Sequence, residues 1–184
     1  MTNIVAFHGS NAVFKEFDQS KARLANDFYG GGVAYFTDDP KIAEQYAKGM
    51  SKKTGAPVVY EVKLTLKRIF DVDDVFSGKD LEDLVGSDID SFLRGAGLMI
   101  AGSDQYKLKS DYKQGILSVS GDQTFKGLSR GMIQTAAARM KLIKAGYNGL
   151  RYNGGLNMNT HIKHNVFLMY QAKDINIVGA KVLV

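Results

Sequence analysis

Short apolar runs set between polar, glycine-dotted stretches make up much of the chain, and the spacing within each run predicts an element. Residues 4–7 are an unbroken apolar run ended by His8, Gly9 and Ser10, the pattern of a buried strand emerging into a turn. A polar stretch follows over 11–28, with a weak helical signal at 20–26. Three glycines at 30–32 then break the chain before a second buried strand at 33–36. Thr37, Asp38, Asp39 and Pro40 make a helix start, with an acceptor side chain at the cap and proline at the first helical position. The helix runs over 40–49, because Ile42, Ala43, Tyr46 and Ala47 recur on one face.

Residues 58–66 form the clearest strand, β-rich and partly alternating. An acidic block at 71–90 holds a short helical pattern at 80–85, and 95–128 is dotted with Gly and Lys and predicts no element. The stretch 129–145 reads as a helix. Ser129 caps it, three alanines at 136–138 favour it, Lys141 and Lys144 suit its C-terminal dipole, and Gly146 ends it. Two strands follow at 149–152 and 166–170, and a third at 175–184. Strands interleaved with helices and a β-rich C-terminus predict an α+β fold in one domain over 1–184, with an insertion at 70–128.

Composition narrows the classes. With 45% hydrophobic and 23% charged residues in 184, the chain has the balance of a folded soluble domain. The absence of cysteine rules out disulfides, a thiolate nucleophile and Cys-based metal sites, and fits a reducing compartment. The first residues lack a basic segment and a long apolar core, so no signal peptide is expected. The longest apolar run, 166–170, is far short of the roughly 20 residues that span a bilayer. Net charge is +5 but uneven: +3 over 1–70, −7 over 71–91 and +9 over 92–184. The basic half suits an anionic partner, although its lysines are scattered as on an ordinary solvated surface.

Two features carry candidate chemistry. His8 leaves its strand beside Gly9, which lets backbone approach a ligand, although a histidine satisfied by a turn looks the same. Tyr35 and Tyr46 bracket a strand-to-helix turn eleven residues apart, although each alone also reads as a core aromatic. His161 and His164 lack a third ligand nearby, so no metal is expected. The glycines at 30–32 lack the lysine of a P-loop and read as a hinge or turn. Ser10 stands two residues from His8, a weak hydrolase hint.

Taken together, His8, Gly9 and Ser10, then 32–38 with Tyr35, then Ala43 and Tyr46, resemble the NAD-binding half of ADP-ribosyltransferases of the diphtheria-toxin and poly(ADP-ribose) polymerase class. Further likeness runs through 58–64, 146–152 and 166–171, as in phage and mobile-element members. The resemblance implies two packed, mostly antiparallel sheets with flanking helices, and NAD as substrate without a metal. By the same resemblance His8 binds the ribose hydroxyls next to nicotinamide, and the Gly9 backbone pairs with the carboxamide. Tyr35 and Tyr46 stack on the pyridinium ring, whose positive charge is drawn to aromatic faces. Ser10 adds a hydrogen bond, and Ala43 stands where some members carry a serine.

The likeness departs at one point. The class usually places a Glu on the late strand, where it binds a ribose hydroxyl and stabilises the oxocarbenium-like transition state. The register puts Val166 there, after Asn165, and no Asp or Glu occurs between Asp122 and Asp174. The implied activity is transfer of one ADP-ribose to a macromolecular acceptor, protein or nucleic acid. A non-catalytic NAD- or acceptor-binding module and an NAD glycohydrolase are the alternatives. The implied location is the cytoplasm, or a host's cytoplasm if the chain is phage- or toxin-derived.

Overall fold

The computed structural model describes residues 1–18, 34–51, 55–71, 136–154 and 162–183. The chain divides into two compact units, one of Met1–Ala22, Gly32–Ile69 and Asn148–Val184, the other of Arg23–Gly31 and Phe70–Tyr147.

The first unit begins with β1 (Thr2–Ser10), whose nine residues pair antiparallel with β3 (Val58–Leu66) from Thr2 against Leu66 to Ser10 against Val58. His8, Gly9 and Ser10 therefore lie within the strand and not in the expected turn. The apolar run of β3 is long enough to satisfy their backbone, and that long-range partner was invisible in the local pattern. Between the two strands come β2 (Ala34–Thr37) and α1 (Pro40–Ser51). Asp39 caps α1 by accepting the Lys41 amide at 2.8 Å, with Pro40 at the first helical position, as the sequence predicts.

The remaining strands are β4 (Ile69–Asp71), β5 (Gly149–Asn153), β6 (Asn165–Met169) and β7 (Ile175–Val182). The sheet order is β4-β5-β6-β2-β1-β3-β7. β4 is three residues long, too short for a periodic signal, and the one-turn 3-10 helix at Ala172–Asp174 leaves no mark on the local pattern either. The β1–β2 junction is narrow: among the described residues, its register pairs Phe7 with Thr37. On either side of it stand two antiparallel leaves, β1-β3-β7 and β5-β6-β2.

Both leaves contribute to one core. Ala6, Val58, Tyr60, Val62 and Leu64 from one pack with Phe36, Phe167 and Met169 from the other. On the opposite face α1 lays Ala43 and Ala47 against Val59 and Leu183. This is the α+β arrangement that the alternation of strands and helices predicts.

Asn148 ties the far end of the unit together. Its amide donates to Thr65 O at 2.7 Å and to Asp174 Oδ2 at 3.0 Å, while its Oδ1 accepts the amides of Lys67 and Arg68. Asp174 is buried and also holds the Lys67 ammonium at 2.5 Å, so its charge is paired where desolvation would otherwise cost most.

In the second unit, α2 (Ala136–Lys144) ends as its sequence predicts. Gly146 takes φ +90°, its amide bonds Ile143 O and the Tyr147 amide bonds Leu142 O, which is a Schellman closure that favours glycine. Phe70 and Tyr147 meet edge to face at 5.4 Å. The expected helical signals at 20–26 and 80–85, the glycine break at 30–32, His161 and the helix start at Ser129 lie outside the described residues. No helix among the described residues is long and apolar enough to cross a membrane.

Candidate active site

The β1–β2 register explains how the site residues assemble. Continuing from Phe7 against Thr37, an unbroken ladder would set Gly9 opposite Tyr35, yet the register stops at one pair. In place of strand pairing, the His8 side chain reaches across: its Nδ1 lies 2.7 Å from the Tyr35 carbonyl oxygen. A carbonyl can only accept, so Nδ1 carries the hydrogen, and in the neutral ring Nε2 keeps a lone pair for a donor such as a sugar hydroxyl.

The ring of His8 is enclosed by aromatics although the residue is half-buried overall. Phe17 sits edge-on at 5.1 Å, Phe36 at 5.6 Å, Phe14 at 6.2 Å and Tyr60 at 6.4 Å. Burial pushes the imidazole below its ordinary value of 6.5, and the hydrogen bond to Tyr35 O opposes the shift without cancelling it. His8 is therefore neutral at pH 7.

A folded state that resists protonation binds fewer protons than the unfolded chain below pH 6.5, so stability falls as pH drops through that value and is intact above it. Acidification from pH 7 to 5 is expected to lower the unfolding temperature more for the parent than for His8→Phe, which cannot titrate there. Equal acid slopes in thermal unfolding would contradict the assignment.

The sequence pattern does not mark Tyr60, Phe14 and Phe17 as site residues. Stacked 4.1 Å from Phe14, Tyr60 also holds the chain after β1 with its hydroxyl, which accepts the Phe14 amide at 2.6 Å and donates to Ala12 O at 3.1 Å. Phe14 and Phe17 are three apart in a stretch without periodicity, so only the long-range pairing of Tyr60 opposite His8 could have revealed them. Ser10 is buried and its Oγ accepts the Ala12 amide at 3.1 Å, which turns the chain away from the strand.

On the other face of β1, Gly9 lies against α1. A Cβ built there would fall 2.1 Å from Ala43 O, 2.7 Å from Ala47 N and 3.0 Å from Tyr46 Cβ. Only a glycine permits this approach, which brings Gly9, Ala43 and Tyr46 together. Tyr46 is 44% exposed, unlike a core aromatic. Tyr35 is half-buried on β2, and its carbonyl is the His8 acceptor.

Val166 is the second residue of β6, paired with Thr37 on one side and Tyr152 on the other, and is 8% exposed. Next to it a polar clamp joins β2, β5 and β6. Asp38 accepts the Asn165 amide at 2.8 Å and the Asn165 Nδ2 at 2.6 Å, while Arg151 Nη1 donates to Asn165 Oδ1 at 2.6 Å.

A His-Gly pair on the first strand, with a tyrosine-bearing helix set against the glycine, fits the resemblance to ADP-ribosyltransferases. The sequence matches the family described as ADP-ribosyltransferase in polyvalent proteins over residues 2–178, and the chain belongs to that family. A comparison with curated proteins finds no match. Among solved structures, a chain of the M. tuberculosis MbcT–MbcA toxin–antitoxin complex is 10% identical with a TM-score of 0.47, over 100% of this chain and 85% of its own.

Proposed function

We propose that the chain is a mono-ADP-ribosyltransferase that cleaves the nicotinamide glycosidic bond of NAD and passes ADP-ribose to a protein or nucleic-acid acceptor. The observation that carries this reading is the parting of β1 and β2, bridged by His8 Nδ1 and Tyr35 O, directly beside the glycine packed on α1. The carboxamide of nicotinamide is planar and needs one donor and one acceptor, which the Gly9 backbone supplies at that opening. Tyr46 from α1 and Tyr35 from β2 stack on the cationic ring. The ribose hydroxyl donates to His8 Nε2, the nitrogen left with a lone pair by the bond to Tyr35. Ser10 lines the same strand end, and Ala43 leaves room where a larger residue would meet the ring.

As the glycosidic bond breaks, its electron pair returns to the pyridinium nitrogen and neutral nicotinamide leaves. Positive charge builds on the ribose, and stabilising that charge is where a carboxylate would help most. Val166 supplies none, so elongation of polymers is not part of the activity, and single transfer depends on an aligned acceptor. The same apolar Val166 favours a second reading, a non-catalytic NAD- or acceptor-binding module on this fold. The reaction needs no metal, and the working compartment is the cytoplasm, or a host's cytoplasm for a phage- or toxin-derived chain.

Incubation of the protein with NAD labelled on the adenylate, in a cell extract treated with nuclease or protease, separates these readings. Label in material sensitive to one treatment supports transfer and identifies the acceptor class. NAD bound without nicotinamide release selects the binding module, and nicotinamide release without labelled macromolecule selects a glycohydrolase.

A further inference from the structure

We propose that His164 is the base that takes the acceptor's proton during transfer, a role that rests on the transferase reading above. His164 stands two residues before Val166, immediately ahead of β6. Gly154 shows how close they are. A Cβ built at Gly154 would lie 2.3 Å from His164 Nε2 and 2.5 Å from Val166 Cγ2, so imidazole and valine stand side by side over the same glycine.

The imidazole is oriented from both directions. Its Nδ1 lies 2.9 Å from the Ile162 carbonyl oxygen, which fixes the hydrogen on Nδ1 and, in the neutral ring, the lone pair on Nε2. The Gly154 amide donates to His164 O at 2.9 Å, and the next residue is clamped by Asp38 at 2.8 Å and 2.6 Å. His164 is 5% exposed, and among the described residues Nε2 has no hydrogen-bond partner. With Nδ1 so held and no partner for Nε2 among the described residues, the ring is placed to take a proton at Nε2.

Both oxygens of Asp38 accept from Asn165, and Arg151, which donates to the same Asn165, cannot act as a base. The acceptor heteroatom forms a bond to the ribose anomeric carbon with its own lone pair as the bond to nicotinamide breaks. The proton it sheds goes to His164 Nε2, and the imidazolium returns it to water. The Glu that this class usually carries would share the acceptor's activation with its work on the ribose. Here a histidine two positions earlier takes the proton, and Val166 holds the space beside it.

The test compares the parent, His164→Gln and the double variant His164→Gln with Val166→Glu, by nicotinamide release in the acceptor-bearing extract and by calorimetric NAD binding. His164→Gln is expected to bind NAD like the parent while transfer falls about 100-fold or more, the usual contribution of a positioned base. The double variant is expected to regain transfer, because a carboxylate beside the lost imidazole can take the proton. Parental transfer in folded His164→Gln overturns the proposal and leaves the transferase reading standing. Joint loss of binding and transfer without rescue assigns His164 a structural role and also overturns it. A parent that releases no nicotinamide in any extract removes the transferase reading and this proposal with it. Should the glutamine variant not fold, the parent with nitrogen-15 histidine decides, since only three histidines contribute signals. On saturation with a non-hydrolysable NAD analogue and acceptor, the His164 Nε2 resonance is expected to shift, and an unmoved resonance overturns the proposal.

Discussion

His8→Phe is expected to lower nicotinamide release about 100-fold or more while leaving the protein folded, the size seen when one preorganised polar partner of a transition state is removed. Phenylalanine keeps a ring among Phe14, Phe17, Phe36 and Tyr60, so the aromatic packing survives. What goes is the donor to Tyr35 O and, with it, the acceptor at Nε2. An alanine variant would confuse the two effects, because it also empties the space inside the aromatic cluster. Steady-state release of nicotinamide at saturating NAD measures the chemistry, and thermal unfolding checks the fold. A folded His8→Phe with parental turnover would show that the reacting ribose lies elsewhere.

Gly9→Ala is expected to be costly for a different reason. The added methyl group falls 2.1 Å from Ala43 O and 2.7 Å from Ala47 N, both backbone atoms of α1, so no side chain can swing aside to relieve it. Helix and strand must separate, at about 1 to 3 kcal/mol for overpacking of this kind. The separation also carries Tyr46 away from the strand end where the carboxamide binds. Unfolding temperature and calorimetric NAD affinity should therefore fall together, with affinity lower by about tenfold or more if as little as 1.4 kcal/mol of the strain reaches the ligand. Loss of stability with unchanged affinity would separate the α1 contact from the site, and a parental unfolding temperature would contradict the close approach itself.

The parts of this arrangement that local pattern encodes were legible in the sequence. The cap at Asp39 and Pro40, the face of α1, the long strand at 58–66 and the glycine closure of α2 each rest on neighbours a few residues apart, where propensity and periodicity act. The grouping of Gly9 with Ala43 and Tyr46 was readable only through family resemblance, since nothing local says that a strand glycine will meet a helix 34 residues on. The local pattern makes His8 part of a turn because its partners are distant, Tyr60 opposite it on β3 and Tyr35 O across the opening. The same holds for Phe14 and Phe17, which acquire meaning only once Tyr60 pins the chain after β1. Asn148, with partners from Thr65 to Asp174, gave no local signal for the same reason. Locally His164 reads as half of a metal pair with His161, and its place beside Val166 shows only against Gly154, just past the end of β5.

In a crystal structure with a non-hydrolysable NAD analogue, the nicotinamide is expected at the opening between β1 and β2, its carboxamide on the Gly9 backbone, its ring against Tyr46 and Tyr35, and a ribose hydroxyl donating to His8 Nε2. An analogue bound away from Gly9 and His8, or a saturated protein whose β1–β2 opening stays filled by its own side chains, would contradict that placement.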